Sequence, residues 1–120
     1  FVARLVGMNL LEGHAEGSTV TMANGAELVT ATAASGPVLV TVAPHSIALY
    51  RARPDGSPRN TWAVAVDDLE AVGDRVRVAL GGPLPLVAEV TPAAVADLAL
   101  TAGQQVWATL KATDIEVYAA

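Results

Sequence analysis

Short apolar runs rich in valine, threonine and leucine fill most of the chain, and glycine, proline, asparagine or aspartate closes each within a few residues. Such runs are typical of β-strands, and such punctuation is typical of turns. The pair Asn24-Gly25 predicts a hairpin with a type I′ turn, because that turn needs positive φ at both central residues. We predict strands near residues 2–6, 9–14, 18–23, 26–32, 37–42, 46–50, 61–67, 74–80, 85–90, 105–111 and 114–118.

One segment, VTPAAVADLALTAG from Val90, has the pattern of a short helix. Thr91 suits the N-cap and Pro92 suits the first helical position. Val95 and Leu98 then form an apolar stripe at helical spacing. Many short strands with one short helix predict an all-β fold, either a small β-barrel or paired barrels.

Composition narrows the possible functions. The 120 residues suffice for one domain with a core, and 52% of them are hydrophobic although only 4% are aromatic. The absence of cysteine excludes disulfides and thiolate chemistry. A net charge of -5 and so few aromatic residues argue against a nucleic-acid partner. The sequence has no GxxxxGK[ST] phosphate loop and no uninterrupted apolar span of membrane length.

The two halves of the sequence resemble each other. VLVTVAPHSIAL from Val38 resembles VWATLKATDIEV from Val106, and GSTVTMANG from Gly17 resembles GDRVRVALG from Gly73. Asn9 with two following apolar residues resembles Asn60 with its two successors. Because these blocks recur in the same order, the sequence predicts two related β-units; chance similarity in an Ala- and Val-rich chain is the alternative.

Positive charge is concentrated in one turn-forming segment. The stretch DGSPRNTW from Asp55 contains Arg59, and Arg51 and Arg53 precede it, so three of the seven basic residues lie within nine positions. A solvated turn explains this arrangement. The alternative is one wall of an anion site, because Ser57 supplies a hydroxyl and the turn can leave backbone N–H groups unpaired.

Lys111 is the only lysine in the chain. The apolar residues before it share one strand parity, and those after residue 114 share the other, so the strand must bend or end near 112–114. Lys111 is then either a surface lysine whose stem covers apolar strand or a cation beside a bend. Thr91 has a similar pair of interpretations: a plain helix cap, or part of a helix N-terminus that meets an anion.

No catalytic constellation is visible. His14 and His45 lack metal-ligand spacing to carboxylates, and Ser57 has no neighbouring base. Asp67-Asp68 and Glu70 are predicted to lie in a solvated turn between two strands. We therefore predict no catalytic residue, no metal site and no cofactor, and we do not expect this segment to be an enzyme.

The order of SPRN, a hairpin, VAEVTPAAVADLAL and VWATLKATDIEV resembles the Mop domain, also described as the TOBE domain, at the end of the ATP-binding subunits of molybdate-type ABC importers. Residues 56–120 match this pattern closely, and 1–55 match it more loosely. The resemblance implies an OB-like β-barrel, a molybdate or tungstate ligand, and a homodimer whose interface builds the site. Pro58 and Ala94 depart from the alanine and serine usual at those positions.

Six residues fall on the ligand segments of that family. Matched position by position, the resemblance implies that the oxyanion is bound by Ser57, Arg59, Asn60, Thr91, Lys111 and Thr113. Molybdate at neutral pH is a dianion without a proton, so it only accepts hydrogen bonds and requires donors around it.

The resemblance also implies a context. We expect a single regulatory region over 1–120, with residues 1–55 as first β-unit and linker from an ATPase domain and 56–120 as the Mop-like unit. The full-length chain would be an ATPase subunit that contacts a membrane permease, in the cytoplasm at the inner face of the membrane. The alternative is a module of the same fold that binds no anion and serves as a dimerisation element in an importer for another solute.

Overall fold

Antiparallel strands joined by tight connections make up most of the protein, as a computed structural model describes for residues 7–56 and 60–120. The strands are β1 (Asn9–Thr21), β2 (Glu27–Val42), β3 (Ala48–Tyr50), β4 (Asn60–Val72), β5 (Arg75–Gly81), β6 (Leu86–Val90), β7 (Gln105–Leu110) and β8 (Ile115–Ala119). One α-helix, α1 (Pro92–Leu98), precedes β7, and 3-10 turns cover Pro44–Ser46 and Ala112–Asp114. The predicted all-β class with one short helix is confirmed, while the strand predicted at 2–6 lies outside the described residues.

The strands form two sheets, in the orders β1-β2-β8 and β3-β7-β4-β5-β6. Alternate residues in β7 and near both ends of β2 are buried, as two-residue periodicity requires of a strand with one face on the core. Each half of the chain places its last short strand in the sheet of the other half. No helix within the described ranges is long and apolar enough to cross a membrane.

The two halves correspond in strand order and in register. The order β1-β2-β8 matches β4-β7-β3, and Asn9 pairs with Val42 as Asn60 pairs with Leu110. The blocks that begin at Val38 and Val106 also occupy matching positions, since β8 pairs with β2 in the register that β3 uses on β7. The prediction of two related β-units is therefore confirmed. The blocks at Gly17 and Gly73 do not correspond in this way, because one glycine lies within β1 and the other in the turn between β4 and β5.

The hairpin at Asn24-Gly25 is present, but its turn type differs from the prediction. Gly25 has a φ of 89°, and Asn24 is not among the described residues with positive φ, as a type I′ turn would require. The Gly25 N–H donates to Met22 O at 2.9 Å, and the Met22 N–H donates to Ala26 O at 2.8 Å. This is the pattern of a three-residue loop whose last residue is left-handed. The Asn24 side chain instead accepts from the Ala26 N–H at 3.0 Å.

Three predicted interruptions differ in the structure: β1 continues through 15–17, β2 continues through 33–36, and β4 extends to Val72 before its turn. β2 continues through Ser35-Gly36-Pro37, and the proline lies at the end of the β8 ladder, where its carbonyl still accepts from the Ala120 N–H at 3.1 Å. Asp67 and Asp68, predicted in a turn, lie within β4 at a register shift. Gly81 on β5 makes room there, since a Cβ at that position would be 2.7 Å from Asp67 Oδ2.

The helix begins at the predicted residue. The Thr91 hydroxyl accepts a hydrogen bond from the Ala94 N–H at 3.1 Å, and Pro92 is the first helical residue. Ala99 ends the helix in a left-handed conformation with a φ of 49°.

Candidate functional site

A cavity of about 730 Å³ opens at the place where β7 ends and the second 3-10 turn begins. Elements from both halves form its walls. Its lining residues are Ser18, Val29, Thr30, Ala31, Ser46, Ala48, Tyr50, Thr109, Lys111, Ala112 and Thr113. The cavity therefore brings together two of the residues predicted from sequence, Lys111 and Thr113.

The backbone around Lys111 explains why these two residues share the cavity. Lys111 keeps an extended conformation with φ −71° and ψ 140°, and its carbonyl accepts from the Asp114 N–H at 3.0 Å. The chain then tightens into the 3-10 turn that carries Thr113. This turn is the bend that the change of strand parity predicts.

Among the residues that the structure describes, the lining of the cavity is rich in hydrogen-bond donors and contains no carboxylate. Lys111 supplies the only formal charge among the described lining residues, which also include five serines and threonines and the phenol of Tyr50. Within the described ranges, the ion pairs formed are those of Arg75 with Asp74 and Glu89, so the ammonium of Lys111 has no carboxylate partner there. Such a lining suits a small anion.

The two buried threonines of the cavity differ in whether the hydroxyl proton is already used in a hydrogen bond within the protein. Thr30 is 4% exposed, and its hydroxyl proton is directed to the Thr32 carbonyl at 2.9 Å. Thr109 is 5% exposed, and its hydroxyl has no hydrogen-bond partner in the described part of the chain. Thr109 is therefore a buried residue whose hydroxyl proton is free for a bound anion.

Asn60, which is also predicted as a ligand, has its side chain fully hydrogen-bonded to backbone groups of its own chain. It is buried, and its amide donates to Val29 O at 2.9 Å and to Leu110 O at 3.2 Å, while its oxygen accepts from the Val29 N–H at 2.8 Å. Both of its N–H groups are thus used on backbone carbonyls. Val29 lines the cavity and Leu110 precedes Lys111, so the geometry favours Asn60 as a residue that positions the walls.

Thr91 is not brought to this cavity within one chain. Thr91 is exposed and does not line the cavity; its hydroxyl accepts from the N–H of Ala94 as the helix cap. Ser57 and Arg59 lie outside the described residues. Their roles as ligands stay predictions.

Sequence reasoning missed several of the lining hydroxyls. A signal existed for Thr109, because it precedes Lys111 by two residues on an extended segment and therefore faces the same side. Ser18 and Ser46 come from the other half of the chain, and no local pattern connects them with Lys111. The same holds for Tyr50 on β3, which reaches the cavity by pairing with β7.

Comparison with known proteins identifies a matching domain family and related sequences. The TOBE domain matches residues 56–117, just over half of the chain. Over 98% of its length, the chain is 32% identical to the molybdate/tungstate import ATP-binding protein WtpC of Pyrococcus abyssi, of which it covers 34%. It is 30% identical to the molybdenum import ATP-binding protein ModC of Mycobacterium tuberculosis, of which it covers 35%. The chain thus spans about a third of the length of these curated relatives.

The fold has a counterpart among solved structures. The cytoplasmic molybdate-binding protein ModG, in a crystal form with molybdate bound, aligns with a TM-score of 0.80 and 23% sequence identity. The alignment covers 93% of this chain and 96% of that one. At this identity, the likeness establishes the shared fold.

Proposed function

The chain belongs to the TOBE domain family, and from that premise we propose that it binds molybdate or tungstate as a regulatory module. The observation that carries the proposal is the cavity at Lys111, where the described residues combine one ammonium without an ion-pair partner and several hydroxyls, with no carboxylate among them. Two relatives named for import of the same metals, WtpC and ModC, support this choice of anion.

The chemistry of the lining fits a fully deprotonated oxyanion. Molybdate and tungstate accept hydrogen bonds from every side, and each bond to a charged group contributes roughly 1.5–3 kcal/mol. Several such bonds correspond to micromolar or tighter binding, about -8 kcal/mol or beyond, after the cost of association. Phosphate carries a proton near pH 7 and needs an acceptor, so this lining disfavours it. Sulfate has no proton either, and because it is smaller than molybdate, it is disfavoured only if the donors are spaced for the larger anion.

A second copy of the chain completes the site in this proposal. Thr91 matches a ligand position of the family but does not line the cavity of its own chain. Tyr50 lies on the cavity lining and is 39% exposed, and Leu10, Val72 and Tyr118 are further large apolar or aromatic residues left open to solvent. A homodimer would cover part of this surface and bring ligand segments from two chains around one anion.

The wider role is also proposed. Residues 1–55 form the first β-unit and the connection to an ATP-binding domain, and 56–120 form the Mop-like unit. Anion binding then signals that the cell holds enough of the metal and keeps the attached ATPase domains of the importer less active. In this arrangement the module is a binding domain, and it lies in the cytoplasm against a membrane permease.

Calorimetric titration tests the proposal. We expect molybdate and tungstate to bind with micromolar or tighter affinity, with sulfate much weaker and phosphate weaker still. Binding of sulfate and phosphate as tight as molybdate would contradict selection by size and donor chemistry. No binding of any of the four anions would replace the proposal with the alternative, a dimerisation module in an importer for another solute.

A further inference from the structure

The correspondence between the halves gives the cavity at Lys111 a counterpart position, formed by the equivalent residues of the opposite halves. The shared register of β2 with β8 and of β7 with β3 defines which residues match. Lys111 corresponds to Ala43, Thr113 to His45, Ser46 to Asp114, and Ala48 to Glu116.

The charge of the counterpart position is reversed. The ammonium of Lys111 is replaced at the counterpart position by the methyl group of Ala43. Ser46 and Ala48 of the cavity are replaced by two exposed carboxylates, those of Asp114 and Glu116. Glu116 also accepts a hydrogen bond from the hydroxyl of Tyr118. Tyr118 corresponds to Tyr50 of the cavity. Its hydroxyl, which could donate to an anion, therefore donates to a carboxylate instead.

A third carboxylate follows from the same correspondence. Asn60 bonds Val29 as Asn9 bonds Val87, so Ala31, which lines the cavity, corresponds to Glu89 on β6. Glu89 is half-buried and forms an ion pair with Arg75 at 3.6 Å, which offsets its charge in part. Asp114 and Glu116 have no ion pair among the described residues.

We propose that this chain binds a single oxyanion, at Lys111, and that Asp114 and Glu116 exclude a second dianion from the counterpart position. The inference depends on the proposed function, since it concerns the same ligand. Carboxylates can only accept hydrogen bonds, as molybdate does, and the like charges repel each other. The two halves thus share a backbone arrangement, but only the cavity at Lys111 has the donors that bind an anion.

The test measures the number of molybdate ions bound per chain by calorimetry, checked by equilibrium dialysis. The variant Ala43→Lys/His45→Thr/Asp114→Ser/Glu116→Ala copies four cavity residues to their counterpart positions, and Ala43→Lys alone is its matched control. Except for Ala43, which is half-buried, the substituted side chains are exposed, so the fold should persist. Circular dichroism and thermal unfolding verify this for each variant.

We expect one molybdate per chain in the parent protein and in Ala43→Lys, and a second, weaker binding event in the fourfold variant. Two ions bound per parent chain would overturn the inference while leaving the proposed function intact. A folded fourfold variant that still binds one ion would overturn the assignment of the exclusion to these carboxylates. No binding by the parent would overturn the proposed function, and this inference with it.

Discussion

Asn9 and Asn60 make the same three hydrogen bonds in the two halves of the molecule. The Asn60 side chain bonds the N–H and carbonyl of Val29 and the carbonyl of Leu110 at 2.8, 2.9 and 3.2 Å. The Asn9 side chain bonds the N–H and carbonyl of Val87 and the carbonyl of Val42 at 2.8, 2.9 and 3.2 Å. Each asparagine thus connects a strand of its own sheet to a strand of the other sheet.

Because of this relationship, we expect the loss of either asparagine to lower stability, and the loss of Asn60 also to weaken molybdate binding. Asn60→Ala and Asn9→Ala should each lower the free energy of unfolding by about 2–4 kcal/mol, because backbone groups lose their partners. Asn60→Ala should also weaken molybdate binding, since Val29 lines the cavity and Leu110 precedes Lys111. Urea unfolding and calorimetry measure the two quantities. Equal losses of affinity in both variants would mean that Asn60 has no special role in positioning the site.

Two glycines in strands predict different steric costs. A Cβ at Gly13 would lie 2.5 Å from Val20 Cγ1 and 3.1 Å from the backbone oxygen of Thr21. Gly13→Ala should therefore destabilise the fold by about 1–3 kcal/mol through overpacking. At Gly81, the close atoms belong to the end of the exposed Asp67 side chain, which can rotate away. Gly81→Ala should cost less in urea unfolding, and a reversed order would show that the strands near Gly13 adjust more easily than this geometry indicates.

The cap of α1 predicts a local loss. Thr91→Ala removes the acceptor for the Ala94 N–H and should lower stability by about 1 kcal/mol. Thr91→Ser keeps a hydroxyl at the same position and should retain most of the stability. Thermal unfolding compares the two, and equal stability of alanine and serine at this position would argue that the cap contributes nothing.

The proposed second copy predicts self-association. Sedimentation at micromolar concentration should show a dimer, because Tyr50 and Leu10 leave apolar surface exposed and Thr91 lies outside the cavity of its own chain. Adding molybdate should strengthen the dimer if ligands from both copies surround one anion, since binding then stabilises the assembled state. A monomer at all concentrations, with and without molybdate, would contradict this part of the account.

Local features of the fold were predictable from the sequence because their causes are local. Thr91 and Pro92 define the start of α1, and the change of strand parity around Lys111 defines the turn after β7. The continuation of β4 through Asp67 was not predictable in this way. It depends on the space left by Gly81, a residue of the neighbouring strand.

The candidate site was predictable only in part, for the same physical reason. Lys111 and Thr113 are close in sequence and meet in one turn, whereas Ser18 and Ser46 reach the cavity because the halves exchange their last strands. Strand alternation shows which face a residue occupies, but it does not specify which distant strand pairs beside it. The place of Asn60 likewise depends on Val29, which is distant in sequence.

Titration of molybdate into Lys111→Ala beside the parent protein tests the central claim most directly. Lys111 is exposed in the single chain and has no carboxylate partner within the described ranges, so the variant should fold normally. Loss of its charge-assisted contact should weaken binding by about 2–5 kcal/mol, whereas Arg75→Ala, which lies outside the cavity lining, should bind like the parent. If the parent binds molybdate and Lys111→Ala binds it equally well, the site is not the cavity at Lys111.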